Sequence, residues 1–366
     1  MHRFAFIALI LLAACADRNY APIIPAAAKT GTVVPVFIGT TRQPDDTGTL
    51  GRDRTAKMHY LAADVAIPPN HKPGQITYGY RNPNPETDFL FAARQDFASS
   101  TEFRTKLRNH IRAKPGNDRE VVLYVHGYYN SFSDGAFRTA QLMQDLDLPG
   151  TAVHFSWPSA ANPLGYTYDR DSMLFSRDGL EQLLRDVRAA GPSRIVLVGH
   201  SLGTMLIMET LRQIELVEPG WSKRTLGGVI LISPDIDVDL FKIEASRFAA
   251  LPEPFAIFVS QKDRALQLSA RVNGSSNRLG TLSDPTELAE FPITLIDVSE
   301  YSTRASAGHF TVGTSPALIA ILGRSAELDQ AFQRDRAGRS NLLQGTVITV
   351  QNATQLILSP GLALQN

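Results

Sequence analysis

The sequence has little cysteine and no excess of charge of either sign. Its 366 residues include one cysteine, Cys15, and 36 basic residues stand against 36 acidic ones. A single cysteine excludes an intramolecular disulfide and a metal site built from several thiolates. Balanced charge offers no field of one sign to hold nucleic acid by counterion release, so we expect no nucleic-acid partner. The 43% of hydrophobic residues is enough for one large core or two modest ones.

The apolar run at the N-terminus is too short to cross a membrane. It extends from Phe4 to Leu12 and follows Arg3, whereas a bilayer span needs about 20 apolar residues. A basic residue, a short apolar run and then small residues are typical of a secretory signal peptide, which we place over residues 1–14.

Cys15 lies where a lipid anchor would be attached. The segment Leu12-Ala13-Ala14-Cys15 resembles the lipobox of bacterial lipoproteins, in which the cysteine becomes the acylated first residue of the mature chain. We therefore expect an exported lipoprotein, held on the membrane of the cell envelope through Cys15. Alternatively, Ala14-Cys15-Ala16 is an ordinary signal-peptidase site and the protein is soluble in the periplasm or secreted. Residues 15–32 lack periodicity and predict a tether.

Runs of β-branched and aromatic residues recur along the rest of the chain. The first two, VVPVFIGT (33–40) and MHYLAADVAIP (58–68), have little helical pattern between them and predict an antiparallel hairpin region. Six near-continuous apolar runs follow, as expected of strands buried on both faces of a parallel sheet. They are VVLYVHG, TAVHFSW, RIVLVGH, GGVILIS, FAIFVSQ and ITLIDVS.

Amphipathic segments such as FRTAQLMQDL and RDGLEQLLRDVRAA separate these runs. Alternation of strand and helix predicts an α/β fold, with a mostly parallel, doubly wound sheet of about eight strands and helices on both faces. We assign residues 33–325 to one domain. Residues 326–366 form a C-terminal extension of uncertain structure, which adds a helix and a strand or stays partly loose.

The motif Gly-His-Ser-Leu-Gly at residues 199–203 is the first candidate for chemistry. A G-x-S-x-G turn presents a serine on a strained backbone between a strand and a helix, and its glycines allow the two elements to approach closely. Here IVLV supplies the strand and TMLIMETLRQI the helix. The context predicts that Ser201 is a nucleophile and that Gly199 and Gly203 shape the turn.

A serine hydroxyl needs a general base, and in folds with this turn the order along the chain is Ser, Asp or Glu, His. Of the eight histidines, His309 is the one that follows the last of the apolar runs, in the Gly-flanked segment SAGHFTVG. We therefore predict His309 as the base, the alternative being a solvated loop histidine. His200 adjoins the serine, but successive residues on such a turn point apart, so we interpret it as packing.

Asp263 is the predicted acid that orients the histidine. It follows the strand FAIFV, where a loop carboxylate can reach the second imidazole nitrogen. The rival is the acidic cluster after the preceding strand, which comprises Asp235, Asp237 and Asp239. Asp297 lies inside ITLIDVS, and we interpret it as structural.

Two backbone amides are predicted to stabilise a developing oxyanion. One belongs to Leu202, directly after the serine, and the other to Tyr128. In VHGYYNS, His126-Gly127 turns the chain and presents the Tyr128 amide. The alternative is that His126-Gly127 forms a simple turn.

The segments HGYYNSF, FSWPS, YDRDSMLFSRDGLEQLL, GHSLG, SPDID, SQKDRAL and GHF occur in one order along the chain. Together with PPNHKPGQI they resemble a bacterial α/β-hydrolase family catalogued as a domain of unknown function, over roughly residues 33 to 312. The resemblance implies the α/β-hydrolase fold and an esterase- or lipase-like activity. It also implies that Ser201, Asp263 and His309 are the catalytic serine, acid and histidine.

The sequence thus predicts a serine hydrolase acting on a small-molecule or lipid ester, with no metal or organic cofactor. Trp157, Tyr166 and Tyr168, in the segment SWPSAANPLGYTYDRDS, are predicted to wall an acyl pocket, unless they only pack the loop. A thioesterase, amidase or acyltransferase would use the same triad. The alternative from another class is a catalytically idle scaffold that binds an envelope component. Nothing in the sequence predicts the oligomeric state.

Overall fold

The computed structural model describes residues 21–79, 82–274, 277–301, 309–316, 319 and 345–358. The strands in these ranges are β1 (Thr32–Pro44), β2 (Leu50–Ile67), β3 (Leu90–Phe97), β4 (Val121–Val125), β5 (Thr151–Ser156), β6 (Ile195–His200), β7 (Leu226–Ile232), β8 (Phe255–Val259), β9 (Thr294–Asp297), β10 (Gly345–Val350) and β11 (Ala353–Leu358). They form one sheet in the spatial order β10-β11-β9-β8-β7-β6-β4-β5-β1-β2-β3.

Helices cover both faces of this sheet. They are α1 (Ser100–Ala113), α2 (Phe132–Asp145), α3 (Tyr166–Phe175), α4 (Arg177–Ala190), α5 (Leu202–Val217), α6 (Trp221–Thr225), α7 (Val238–Ala245), α8 (Arg264–Asn273) and α9 (Thr311–Thr314). Short 3₁₀ helices span Pro25–Lys29, Gly116–Asp118, Leu279–Thr281, Pro285–Leu288 and Ser299–Tyr301. Within the part of the chain that the structure describes, no helix has the length and apolar character needed to span a bilayer.

Most strands of the sheet run in one direction. The strands β4 to β9 pair in parallel, β1 is parallel to β5, and β11 is parallel to β9. The strands β2 and β10 run against the others, since β2 pairs antiparallel with β1 and β3, and β10 with β11. The predicted fold class is confirmed, although the described sheet has eleven strands rather than about eight. Parallel strands end at a common edge, where α/β folds bind ligands.

The core has two parts because the strands are buried on both faces. In β4, Val121, Leu123 and Val125 pack in the same hydrophobic cluster as residues of α1, α4, α5 and α7. Val122 and Tyr124 point to the other face and pack with residues of α2. Alternation along a strand thus supplies both cores, which explains the near-continuous apolar runs in the sequence.

The C-terminal extension contributes to the sheet where it is described. Strands β10 and β11 form a hairpin, and β11 pairs in parallel with β9 from Thr354–Thr294 to Ile357–Asp297. The segment 345–358 therefore continues the sheet of the hydrolase domain beyond residue 325. The rest of the extension, 326–344 and 359–366, lies outside the described residues.

The segment before β1 contacts the edge strand β3. Ile24 donates its N–H to the Phe91 carbonyl at 2.7 Å, and Ala27, in the 3₁₀ helix, is buried against this strand. Residues 21–32 of the predicted tether are thus packed against the sheet. The predicted signal peptide 1–14 and the lipidation site Cys15 lie outside the described residues.

Candidate active site

Ser201 occupies the sharp turn between β6 and α5. Its backbone has φ 52° and ψ −125°, a conformation that non-glycine residues rarely adopt and that costs on the order of 1–3 kcal/mol. The Ser201 N–H is bound to the Ile232 carbonyl oxygen at 3.0 Å, which ties the turn to β7. Strain of this kind persists where surrounding contacts over-determine the backbone, and it is typical of a nucleophile elbow.

The two glycines of the motif lie where strand and helix touch. A Cβ at Gly199 would lie 2.6 Å from Ile207 Cδ1, and a Cβ at Gly203 would collide with the carbonyl oxygens of Val125 and His126. A side chain at either position would therefore push α5 away from the sheet. The structure thus supplies the steric reason for G-x-S-x-G at this point.

The structure brings Asp263 and His309 together at the same edge of the sheet. His309 Nδ1 lies 2.8 Å from Asp263 Oδ2, and the Asp263 side chain is fully buried. The other carboxylate oxygen accepts the Leu266 N–H at 3.0 Å and caps α8. One side of the carboxylate is thus fixed by a helix, which leaves the other to orient the imidazole.

The rival carboxylates bind other partners. Asp235 accepts hydrogen bonds from Tyr166 Oη at 2.7 Å and Ser269 Oγ at 2.7 Å. Asp237 caps α7, and Asp297 accepts from the Ser299 N–H at 2.9 Å. In the described ranges, His, Cys, Asp and Glu side chains form no group of three or more that could hold a metal ion.

His200 connects the elbow to the segment that carries His309. Its Nε2 lies 3.1 Å from the His309 carbonyl oxygen, and the two rings are 4.8 Å apart. Burial lowers the pKa of His200 well below its usual range, with the neighbouring His309 as the next cause, so the ring is neutral and Nε2–H can donate. The side chain interpreted as packing therefore also holds the His309 backbone beside Ser201.

The loop after β4 passes directly over Ser201. A Cβ at Gly127 would lie 2.8 Å from Ser201 Cβ, so only glycine allows this approach. The Tyr129 N–H is bound to Asp169 Oδ2 at 3.1 Å, and the Asn130 N–H to Ser159 Oγ at 3.1 Å. Because the Tyr129 and Asn130 N–H groups already have acceptors, the Tyr128 N–H stays the predicted oxyanion donor of this loop. The second predicted donor, the Leu202 N–H, is the first of α5, where amides have no intrahelical acceptor.

A buried arginine near the end of β1 donates hydrogen bonds to the loop after β4. Arg42 is fully buried, and its guanidinium donates to Asn130 O at 2.9 Å, to Ser159 O at 3.2 Å and to Ser156 Oγ at 2.9 Å. Burial lowers the pKa of Arg42 to about 10, which leaves it charged at neutral pH. Sequence reasoning missed Arg42, although a charged residue after the apolar run VVPVFIGT was a usable signal.

The three aromatic residues predicted for the pocket have different surroundings. Trp157 is fully buried, stacks on His126 at 4.7 Å and donates Nε1–H to the His126 carbonyl at 2.8 Å. Tyr168 lies against β2, where its hydroxyl donates to Arg52 O. The Tyr166 ring packs edge-on against Tyr128 at 5.5 Å. Trp157 and Tyr166 both contact the predicted oxyanion loop, and of the two Tyr166 packs against Tyr128 itself.

Comparison with known families identifies the chain. The model of a family described as "Alpha/beta hydrolase of unknown function (DUF900)" matches residues 99–325. Because the match covers more than half of the chain, the protein belongs to this family of α/β hydrolases, as the sequence motifs predict. No curated protein sequence matches the chain significantly.

Several solved structures resemble the chain at low identity. An esterase of Pyrobaculum calidifontis is 12% identical, covers 93% of each chain and has a TM-score of 0.36. A YdeN-like hydrolase of Pectobacterium atrosepticum is 16% identical, over 60% of this chain and 97% of its own, with a TM-score of 0.29. Phospholipase PlaB of Legionella pneumophila is 13% identical over 66% of this chain and 67% of its own, with a TM-score of 0.31. Similarities this weak transfer no activity or substrate.

Proposed function

We propose that the protein is a serine hydrolase that cleaves carboxylic esters through an acyl-enzyme intermediate. The observation that carries the proposal is the strained Ser201 turn together with the Asp263–His309 pair, which lies at the same edge of the sheet. The His200 contact with the His309 carbonyl supports this proximity. Membership of an α/β-hydrolase family supports hydrolysis as the class of chemistry.

The geometry suggests a role for each group. With Nδ1–H donated to Asp263, the His309 Nε2 lone pair is free to accept the Ser201 proton as Oγ attacks the ester carbonyl. The oxyanion of the tetrahedral intermediate would accept the Leu202 and Tyr128 amides. His309 then returns the proton to the departing alcohol, and water repeats the attack to release the acid and regenerate Ser201.

Hydrolysis of p-nitrophenyl esters tests this proposal. We expect the wild type to hydrolyse the esters and Ser201→Ala to lose the activity. Ser233→Ala is the matched control, because Ser233 is also a buried serine at positive φ directly after a strand. A folded wild type that hydrolyses no ester, or a Ser201→Ala variant that keeps its rate, would support the idle scaffold. A series of acyl lengths, thioesters and amine acceptors then separates esterase, lipase, thioesterase and acyltransferase.

We further propose that the enzyme works at the cell envelope as a lipoprotein acylated on Cys15. The position of the one cysteine directly after Leu12-Ala13-Ala14 supports this. The wild type is expected to partition into the detergent phase of a cell extract, and Cys15→Ala into the aqueous phase. Partition of both proteins into the aqueous phase would rule out the anchor and favour a soluble exported form, and partition of both into the detergent phase would show that membrane association does not depend on Cys15.

A further inference from the structure

Four exposed apolar side chains lie on α8 and on the two loops near the predicted oxyanion donor Tyr128. Leu164 has 93% of its surface exposed, Val272 66%, Leu268 61% and Tyr129 37%. We call these four residues the apolar rim. Scattered apolar residues are common on protein surfaces, whereas a contiguous apolar patch marks an interaction site. Leu268 and Val272 are four residues apart and therefore adjoin on one face of α8.

Helix geometry and two hydrogen bonds connect the apolar rim to predicted site residues. Asp263 is the N-cap of α8. Leu268 and Val272 therefore lie about 8 and 14 Å from Asp263 along the helix axis. Tyr166 Oη lies 3.0 Å from Ser269 Oγ, which joins α8 to α3. The Tyr128 hydroxyl donates to the Pro163 carbonyl and so holds the residue before Leu164 at the oxyanion loop.

The charges on α8 favour an anionic occupant. Arg264 and Arg271 are exposed on the same helix as the apolar pair, and the sequence of α8, RALQLSARVN, contains no acidic residue. Lys262, just before the helix, is paired with Glu300 at 3.2 Å. An exposed helical surface that combines apolar and basic side chains is typical of proteins that lie on anionic lipid.

We propose that the apolar rim docks the mouth of the site onto an anionic lipid bilayer. Leu164, Leu268 and Val272 would enter the acyl boundary, and Arg264 and Arg271 would contact the headgroups. The enzyme could then take an acyl ester from the bilayer rather than from water. The docking surface itself does not depend on the chemistry of Ser201.

Co-sedimentation with phosphatidylglycerol vesicles tests the surface. The background is the predicted mature chain, residues 15–366, with Cys15→Ala and Ser201→Ala, so that the signal peptide, an acyl anchor and hydrolysis do not contribute. The rim variant combines Leu164→Gln, Leu268→Gln and Val272→Gln. Glutamine is a good helix former, so the substitutions at residues 268 and 272 are compatible with α8. The control is Leu216→Gln with Val217→Gln, two residues that are also exposed but lie at the far end of α5, about 24 Å from the elbow.

We expect the background protein and the control variant to bind the vesicles. Each leucine withdrawn from lipid should weaken partition by about tenfold, so the rim variant should stay in the supernatant. Arg264→Gln with Arg271→Gln should weaken binding by about fivefold per charge, on anionic but not on phosphatidylcholine vesicles.

Three results would overturn the proposal. The first is a folded background protein that binds no vesicle, and the second is a rim variant that binds as tightly as the control. The third is a dimer in solution that the rim substitutions dissociate, since the rim would then bind a second copy of the chain. Loss of vesicle binding in the rim variant would support the surface even if the wild type hydrolysed no ester, so the two proposals fail separately.

Discussion

Asp263 makes two separate contacts, and its substitution should divide activity from stability. One carboxylate oxygen lies 2.8 Å from His309 Nδ1, and the other accepts the Leu266 N–H at 3.0 Å. In Asp263→Asn the amide oxygen can still cap α8, but the NH₂ group then faces Nδ1 and favours the wrong imidazole tautomer. We expect kcat to fall by about 10⁴-fold, or about 5.5 kcal/mol of transition-state stabilisation, with little change in the free energy of unfolding.

Asp263→Ala should lose both contacts. Its kcat should match that of the asparagine variant, and its free energy of unfolding should fall by a further ~1 kcal/mol because the helix cap is gone. Asp237→Ala is the control, since Asp237 likewise caps a helix, α7, through the Asp239 N–H at 3.0 Å. It should lose similar stability and keep its kcat. The assays are p-nitrophenyl ester hydrolysis and urea unfolding. An asparagine variant within tenfold of wild-type kcat would show that Asp263 does not orient His309.

Three further predictions concern the surroundings of the site. Gly127→Ala places a methyl group 2.8 Å from Ser201 Cβ and should reduce kcat at least 100-fold while the circular dichroism spectrum stays native; an unchanged kcat would contradict the close approach. Arg42→Met leaves buried carbonyl oxygens without a donor and should cost on the order of 3 kcal/mol in urea unfolding, whereas a loss below 1 kcal/mol would show that the arginine does not support the loop. Burial and the nearby Glu209 carboxylate raise the pKa of Glu244 from 4.5 to about 8. Between pH 4.5 and about 8 the folded protein therefore keeps a proton on Glu244 that the unfolded chain releases. Stability should therefore fall as pH rises from about 4.5 to 8, by at most about 1.4 kcal/mol per unit, and Glu244→Gln should flatten the curve; parallel curves for both proteins would contradict the assignment.

The central strands could be predicted from the sequence because burial on both faces leaves an unbroken apolar run. The two early strands and the six that follow all appear in the sheet. Strand β3 was missed because its sequence, LFAARQDF, is apolar only in its first half, as befits an edge strand with exposed positions. The sequence alone does not predict the hairpin of β10 and β11. Its position in the sheet depends on pairing with β9, which lies about 60 residues earlier in the chain.

The candidate site shows the same division between local and distant signals. The elbow could be predicted since strand, glycines, serine and helix are adjacent in the chain. Asp263 and His309 followed from the order that such an elbow requires. The partners of Arg42 and of His200 could not be foreseen, because these hydrogen bonds join residues 88 and 109 positions apart in the sequence. Such bonds depend on which loops the completed sheet brings together.

A fluorophosphonate probe, which reacts covalently with activated serines, measures whether Ser201 is a nucleophile. The probe should add one covalent group to the wild type, and tandem mass spectrometry of the digested protein should place it on Ser201. Ser201→Ala should take up none, and His309→Ala should react far more slowly because the serine has lost its base. An adduct on another residue, or no adduct on folded wild type, would contradict the account.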